Sequence, residues 1–567
     1  MKFSRRLRVS LRVITRIALP GSQTRTNSVS ALLRLVRFGG TVKGFSKTAC
    51  IILVFFAMVI ASRAQTFKPL VSFDDSNGAG PQSLVQGTDG SFYGTALTGG
   101  NLTCNTQGCG TVFKITARGK LTVLHSFDGT DGDQPNAPLV QGTDGSFYGT
   151  TLEGGSSSAC GGDCGTVFKI HPDGSFLTLH NFDGTDGENP WGGLVQGRDG
   201  NFYGTTSGGG TEGGGTVFKI TPGGTLTTLY SSFGFGGGIF PDGALVQGTD
   251  GSFYGTTKSG GTGHDCGSRG CGTIFRISSD GSFLSLLSFD YVEGYDPSGG
   301  LVQATDGHFY GTAGGGGTNN DGTVFKITSG GVLTTLYSFC AQTNCTDGAT
   351  PTGLLQASDG NLYGTTEAGG ANNDGTVFKI TSRGVLTTLY SFCGYCTDGG
   401  DPTGPPLQAT DGNFYGTTAI GGAYNYGIVF NLSVGLGPFV ETRPASGKIG
   451  ASVVILGTNL SGATSVTFNG TVAKFTVVSK SEIKTTVPEG ATTGKVEVKT
   501  PHGTLKSNVV FRCRSDFERF GIEEYRPPDV WAAFLASEEG PERDNCRNQA
   551  ISLIETTGQQ SLLPAEK

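Results

Sequence analysis

Ten of the thirteen cysteines fall in five close pairs: Cys104/Cys109, Cys160/Cys164, Cys266/Cys271, Cys340/Cys345 and Cys393/Cys396. Paired thiols serve three chemistries: a disulfide closing a loop, a half-site for zinc, or dithiol exchange. A tetrahedral zinc site needs two pairs to converge, and these lie in separate stretches of chain. Cys393-Gly394-Tyr395-Cys396 has the spacing of a redox dithiol, but no helix-forming sequence follows it to lower a thiol pKa. Local disulfides in an exported chain account for all five pairs, and neither a metal nor a cofactor is expected.

The other reactive groups are sparse. Glu153, Glu212 and Glu367 each follow a Phe-Tyr-Gly-Thr or Leu-Tyr-Gly-Thr motif, and two facing carboxylates are what glycan hydrolysis requires. Solvated loop carboxylates are the simpler explanation. His125 and His180 stand where a Leu-Tyr-Ser-Phe motif elsewhere has its Tyr, and His308 replaces Ser or Asn at a turn. A net charge of −6 with no basic run inside the repeats lacks the footprint of a nucleic-acid binder.

The elements that position these groups are repeats. Tyr-Gly recurs at Tyr93, Tyr148, Tyr203, Tyr254, Tyr310, Tyr363 and Tyr415, a step of 51 to 56 residues, and a Gly-Thr-Val-Phe-Lys-Ile-like hexapeptide follows each. Each unit holds four short runs rich in β-branched and aromatic residues, separated by Gly and Asp-Gly turns, which predicts a four-stranded antiparallel meander. The seventh unit stops after Leu432 without its fourth strand, while Leu70-Val71-Ser72-Phe73 precedes the first unit and matches that strand. The ends therefore meet in one blade, and residues 65–436 are predicted to form a seven-bladed β-propeller.

Recurrence within the chain assigns further residues. Asp89, Asp144, Asp199, Asp250, Asp306, Asp359 and Asp411 suit tight turns; a ring of seven carboxylates is also a conceivable cation site. Phe113 and its equivalents are expected between blades. The neighbouring Lys114, Lys169, Lys219, Arg276, Lys326 and Lys379, with Asn431 in the last unit, read either as a cationic ligand ring or as stems lying on aromatic faces.

The units resemble the tandem GloVer-type repeats of exported bacterial choice-of-anchor proteins, a similarity covering nearly all of residues 70–432. It implies an exported repeat domain and transfers no catalytic residue. Residues 437–511 predict a small β-sandwich and resemble the IPT/TIG immunoglobulin-like family in Pro444-Ala445-Ser446-Gly447, Ile455-Leu456-Gly457-Thr458-Asn459-Leu460 and Val466-Thr467-Phe468-Asn469-Gly470. That resemblance implies a spacer or adhesion module.

The ends differ in character. Residues 1–64 carry an Arg-rich leader and the apolar block Ala49 to Ala61, too short for a comfortable span; with Ser62-Arg63-Ala64 they resemble a secretory signal peptide cut between Ala64 and Gln65. Residues 512–567 form a charged, Gly-poor tail containing Cys513, Trp531 and Cys546, with weak helical signals and no membrane anchor.

The expectation is a secreted or cell-surface monomer with no transmembrane helix in its mature chain, binding an extracellular glycan or protein. A glycan-active hydrolase or lyase is the alternative. Loops between second and third strands and between blades vary and hold all five cysteine pairs. That face, with Trp191, Tyr295, His264, Glu153 and Glu212, is the expected binding face.

Overall fold

The computed structural model describes residues 65–514 except positions 103, 105, 162, 232, 235, 264, 265 and 395. The predicted leader and signal peptide, the tail beyond 514, and Cys546 lie outside the described residues. Regular structure among the described residues is all strand, apart from two single turns of 3-10 helix at Gly267–Arg269 and Thr343–Cys345.

Seven antiparallel sheets follow the repeats. Blade 2 is representative, with strands Val140–Gln141, Phe147–Thr151, Thr166–Ile170 and Phe176–Asn181 paired in that order. Blade 7 joins Leu407–Gln408, Phe414–Ile420 and Ile428–Ser433 to Thr66–Ser72 from the other end of the chain, in the register Phe67↔Leu432 and Lys68↔Asn431. The seven-bladed closure read from the sequence is thus the observed one.

Two packing rules make these sequences into blades. Within a blade, each Tyr-Gly glycine faces the Phe of the hexapeptide, as Gly204 does Phe218, and the ring lies over the missing side chain. A Cβ built at Gly204 would meet Phe218 Cζ at 2.6 Å, so glycine is required here for space and not for its backbone angles. Between blades, six of the seven buried tyrosines lie against the Phe of the next blade, as Tyr93 on Phe147 at 4.0 Å, Tyr148 on Phe202 at 3.9 Å and Tyr203 on Phe253 at 4.0 Å, while Tyr310 meets Leu362 instead. Each such pair adds about 0.5–1.5 kcal/mol beyond its area burial.

A belt of seven glutamines runs through these interfaces. The amide N–H groups of Thr88, Thr143, Arg198, Thr249, Thr305 and Ser358 donate to the side-chain oxygens of Gln141, Gln196, Gln247, Gln303, Gln356 and Gln408, each in the following blade, at 2.8–3.1 Å. Thr410 N–H donates to Gln86 Oε1 at 3.0 Å and closes the circle from blade 7 to blade 1.

The second domain is a sandwich. One sheet orders Glu441–Arg443, Ser452–Leu456, Glu482–Thr486 and Phe475–Val477; the other orders Thr471–Ala473, Ser465–Phe468, Val496–Thr500 and Gly503–Lys506. Alternating Val and Ile positions fill the space between them, with Phe468 edge-on to Phe511. Arg512–Arg514 pairs in parallel with Ser446–Lys448 and carries the fold past Phe511.

This domain sits on the propeller's uniform Asp-Gly hairpins. Ser481 Oγ donates to the Thr88 carbonyl at 2.9 Å, Arg443 Nη1 to Gln141 Oε1 at 2.8 Å, and the Thr410 and Thr458 hydroxyls share a hydrogen bond at 2.9 Å. Blades 7, 1 and 2 therefore have their hairpin ends covered.

Candidate ligand-binding face

The hairpin carboxylates and the lysine ring turn out to be partners of one another. In blade 2, Asp144 Oδ1 accepts the Ser146 N–H, while Oδ2 takes the Tyr148 hydroxyl at 2.9 Å and Lys169 Nζ at 2.8 Å. Lys169 Nζ also lies 5.4 Å from the centre of the Tyr148 ring. Burial alone would push Asp144 up, but Lys169, Tyr148 and the Ser146 N–H outweigh it and hold the carboxyl below its ordinary value. The same triad recurs in blades 1 to 6, with Arg276 in blade 4; in blade 7 the Tyr415–Asp411 bond remains and Asn431, in place of the cation, bonds Tyr415. These groups build the scaffold, and the ring of Lys and Arg heads is engaged by carboxylates.

The opposite face is formed by the second-to-third loops and the inter-blade connections. Each connection passes through a residue with φ of 52–59° directly before a proline: Gly80, Gln134, Asn189, Phe240, Asp296, Thr350 and Asp401. Left-handed φ is strained for Phe and for β-branched Thr. Each of these residues is held by donating its N–H to a carbonyl at the end of a second-to-third loop, those of Tyr426, Cys109, Cys164, Gly214, Cys271, Asp321 and Asp374 respectively. Three of the seven acceptors are cysteines, so the loop disulfides anchor the turns that shape this face.

All five cysteine pairs are joined as disulfides. Three Cys and Asp groups, such as Cys104, Cys109 and Asp133, lie close enough to hold an ion, but their sulfurs are committed to disulfides. Cys513 is half-buried, and burial pushes its thiol up.

The expected binding residues are dispersed on this face. Trp191 is 41% exposed. Tyr295 lies over Gly315 and stacks on Tyr291 at 5.7 Å. Glu153 accepts from Gln134 Nε2 at 2.8 Å, and its carboxyl is pushed up by burial, then by Asp133 and Asp163. Glu212 is exposed, and His264 lies outside the described residues. His125 and His180 do the work of the tyrosines they replace: His125 pairs with Asp131 at 2.7 Å as Tyr337 does with Asp347.

The structure adds a cluster that sequence reasoning missed. Asp242, only 7% exposed, and Asp296 lie 3.9 and 3.8 Å from Lys258 Nζ. Oδ1 of each aspartate is buried without a hydrogen-bond partner, as are the Thr256 and Thr312 hydroxyls. Burial drives Asp242 up to about 7, countered by Lys258 and aided by Asp296. Glu367 is raised by burial, then by the charges of Asp401 and Asp296. The signal was present: Phe240-Pro241-Asp242, Asp296-Pro297 and Asp401-Pro402 put acids beside the recurrent proline in only three of seven units.

Residues 54–263, 157–351 and 339–454 each match the Gloeobacter/Verrucomicrobia repeat. The chain belongs to the Gloeobacter/Verrucomicrobia repeat family. In this family member the repeats are followed by an IPT/TIG domain, matched over residues 440–512. No curated protein matches the chain. Among solved structures it is similar to a gluconolactonase of Xanthomonas campestris at 13% identity, covering 66% of this chain and 98% of that one with a TM-score of 0.35. It is also similar to a putative 6-phosphogluconolactonase of Bacteroides uniformis at 13% identity, covering 54% and 82% with a TM-score of 0.37. The repeat array, the IPT/TIG domain and the disulfides of this Gloeobacter/Verrucomicrobia repeat protein are consistent with an exported surface or binding module.

Proposed function

We propose that this protein is a secreted or cell-surface binding protein that captures an extracellular glycan or protein through the loop face of its propeller. One observation carries the reading: the IPT/TIG domain occupies hairpins of blades 7, 1 and 2, bonded through Thr458, Ser481 and Arg443, on the side away from the disulfide-anchored loops. Loops restrained in this way lose less conformational freedom on binding. Exposed Trp191 and the aromatic pair Tyr291 and Tyr295 supply the type of side chain that dominates binding energy.

A glycan-array and pull-down screen of residues 65–514, followed by assays for turnover of any bound glycan, tests it. Alanine at Trp191 or Tyr295 is expected to weaken capture while changing stability by no more than about 1 kcal/mol. Equal loss from substitutions at Thr143 or Ser146, on the hairpin side, would place the site on the other face.

A further inference from the structure

The residue after the recurrent proline occupies one position in every connection, and blades 3 and 4 place Trp191 and Asp242 there. These two connections touch: a Cβ built on Gly192 would lie 3.1 Å from the Asp242 carbonyl oxygen. Gly243 in turn packs against Gly300 of the next connection and against the Thr256 hydroxyl. The corner of the loop face where blades 3, 4 and 5 meet therefore combines an exposed indole with two aspartates that carry unbonded buried oxygens.

Its charge is unbalanced. Asp242 and Asp296 flank Lys258, whose ammonium stands 3.9 and 3.8 Å from them, beyond a direct hydrogen bond, and Glu367 feels the charge of Asp296 as well. Buried carboxylate oxygens without donors are costly, and a ligand that brings positive charge and N–H or O–H donors would relieve that cost. No three carboxylates of this cluster lie within 4.8 Å of one another, as a ready-made metal site among the described residues would require. An ammonium group needs no such convergence, and an aromatic face such as that of Trp191, in the adjoining connection, is the kind of surface that favours it.

We propose that this corner binds the ammonium group of an amino sugar, with Asp242 and Asp296 as acceptors, Trp191 as the platform for the sugar ring, and Lys258 as a place-holder that the ligand displaces. The inference rests on the loop face being the binding face and names the chemistry at one part of it.

Titration calorimetry of residues 65–514 at pH 7.5 with a glucosamine tetramer, its fully N-acetylated counterpart and calcium chloride tests this. The glucosamine tetramer is expected to bind at least about tenfold more tightly than the acetylated one. Trp191→Ala and Asp242→Asn are expected to weaken it by about tenfold or more, and Lys258→Met to strengthen it. If Asp242→Asn fails to fold, Lys258→Met at the protein's exposed margin decides: unchanged or weaker amine binding overturns the place-holder role and with it the proposal. Equal binding of both tetramers, or calcium binding in the absence of amine binding, also overturns it. Capture of neutral glycans by the loops without any amine preference would sink this inference and leave the broader function standing.

Discussion

Asp296 donates its backbone N–H to the carbonyl oxygen of Cys271 at 3.3 Å, and Cys271 is tied to Cys266. A disulfide in blade 4 thereby fixes the strained turn that leads into blade 5. The same relationship links Cys109 to Gln134 and Cys164 to Asn189. Protein from an oxidising compartment should show none of the ten loop thiols free by mass spectrometry after alkylation. Reduction should lower ligand affinity well before it unfolds the blades, because each short loop adds only about 2 kcal/mol. Simultaneous loss of ligand binding and of the sheet signal in circular dichroism would show that these bonds hold the scaffold instead.

Ring closure depends on a single N-terminal strand. Phe67 stacks on Tyr390 of blade 6 at 3.8 Å while its strand pairs with Ile428–Ser433. Deleting Thr66 to Asp74 should expose a strand edge in blade 7 and strip the ring contact from blade 6, giving aggregation or a broad, uncooperative melt. A truncated protein that melts like the parent would mean the ring does not need this strand.

Two glycines four residues apart should respond to alanine for different reasons. At Gly204 the new methyl would lie 2.6 Å from Phe218 Cζ and 2.8 Å from Leu194 Cδ2, an overpacking that costs about 1–3 kcal/mol. At Gly200 nothing lies within 4 Å, but φ is +86°, and the left-handed backbone costs about 1–2 kcal/mol. Pairing each with Phe218→Leu in denaturant titrations separates them: the shorter side chain should relieve Gly204→Ala and leave Gly200→Ala unchanged.

Asp242 gives stability a pH dependence opposite to that of the hairpin aspartates. Its carboxyl holds a proton up to about 7 when folded, against an ordinary value of 3.8, because burial disfavours its charge. The folded state therefore binds more protons between those values, and stability falls as pH rises from about 4 to 7. Asp144 is held below its ordinary value, so its contribution is present above about pH 4 and lost as pH falls. Asp242→Asn should flatten the first slope and leave the second, making the variant relatively more stable at pH 8 than at pH 5 by calorimetry. A difference independent of pH would contradict this.

Architecture was legible because a repeat shows its own invariants: Leu70 to Phe73 could be matched to the missing strand by inspection. The purpose of the invariants was harder to read. Asp144, Tyr148 and Lys169 each had a separate local explanation, and only the register Tyr148↔Lys169 reveals them as one triad. Asp242 escaped notice because a lone acid after a proline looks like any loop residue. Its connection packs against both neighbours, Gly192 on one side and Gly300 on the other, and such contacts between units do not show in the residues of one unit.

The glutamine belt bears on how such a gene changes. Near-identical tandem units recombine readily with one another, gaining or losing a copy at each unequal exchange. Here a six- or eight-unit product must still bring Thr410 to Gln86 and Thr66–Ser72 to the last blade, at a different angle between every neighbouring pair. Drift in copy number is thereby screened at the level of folding, while the loops on the open face remain free to diverge one unit at a time.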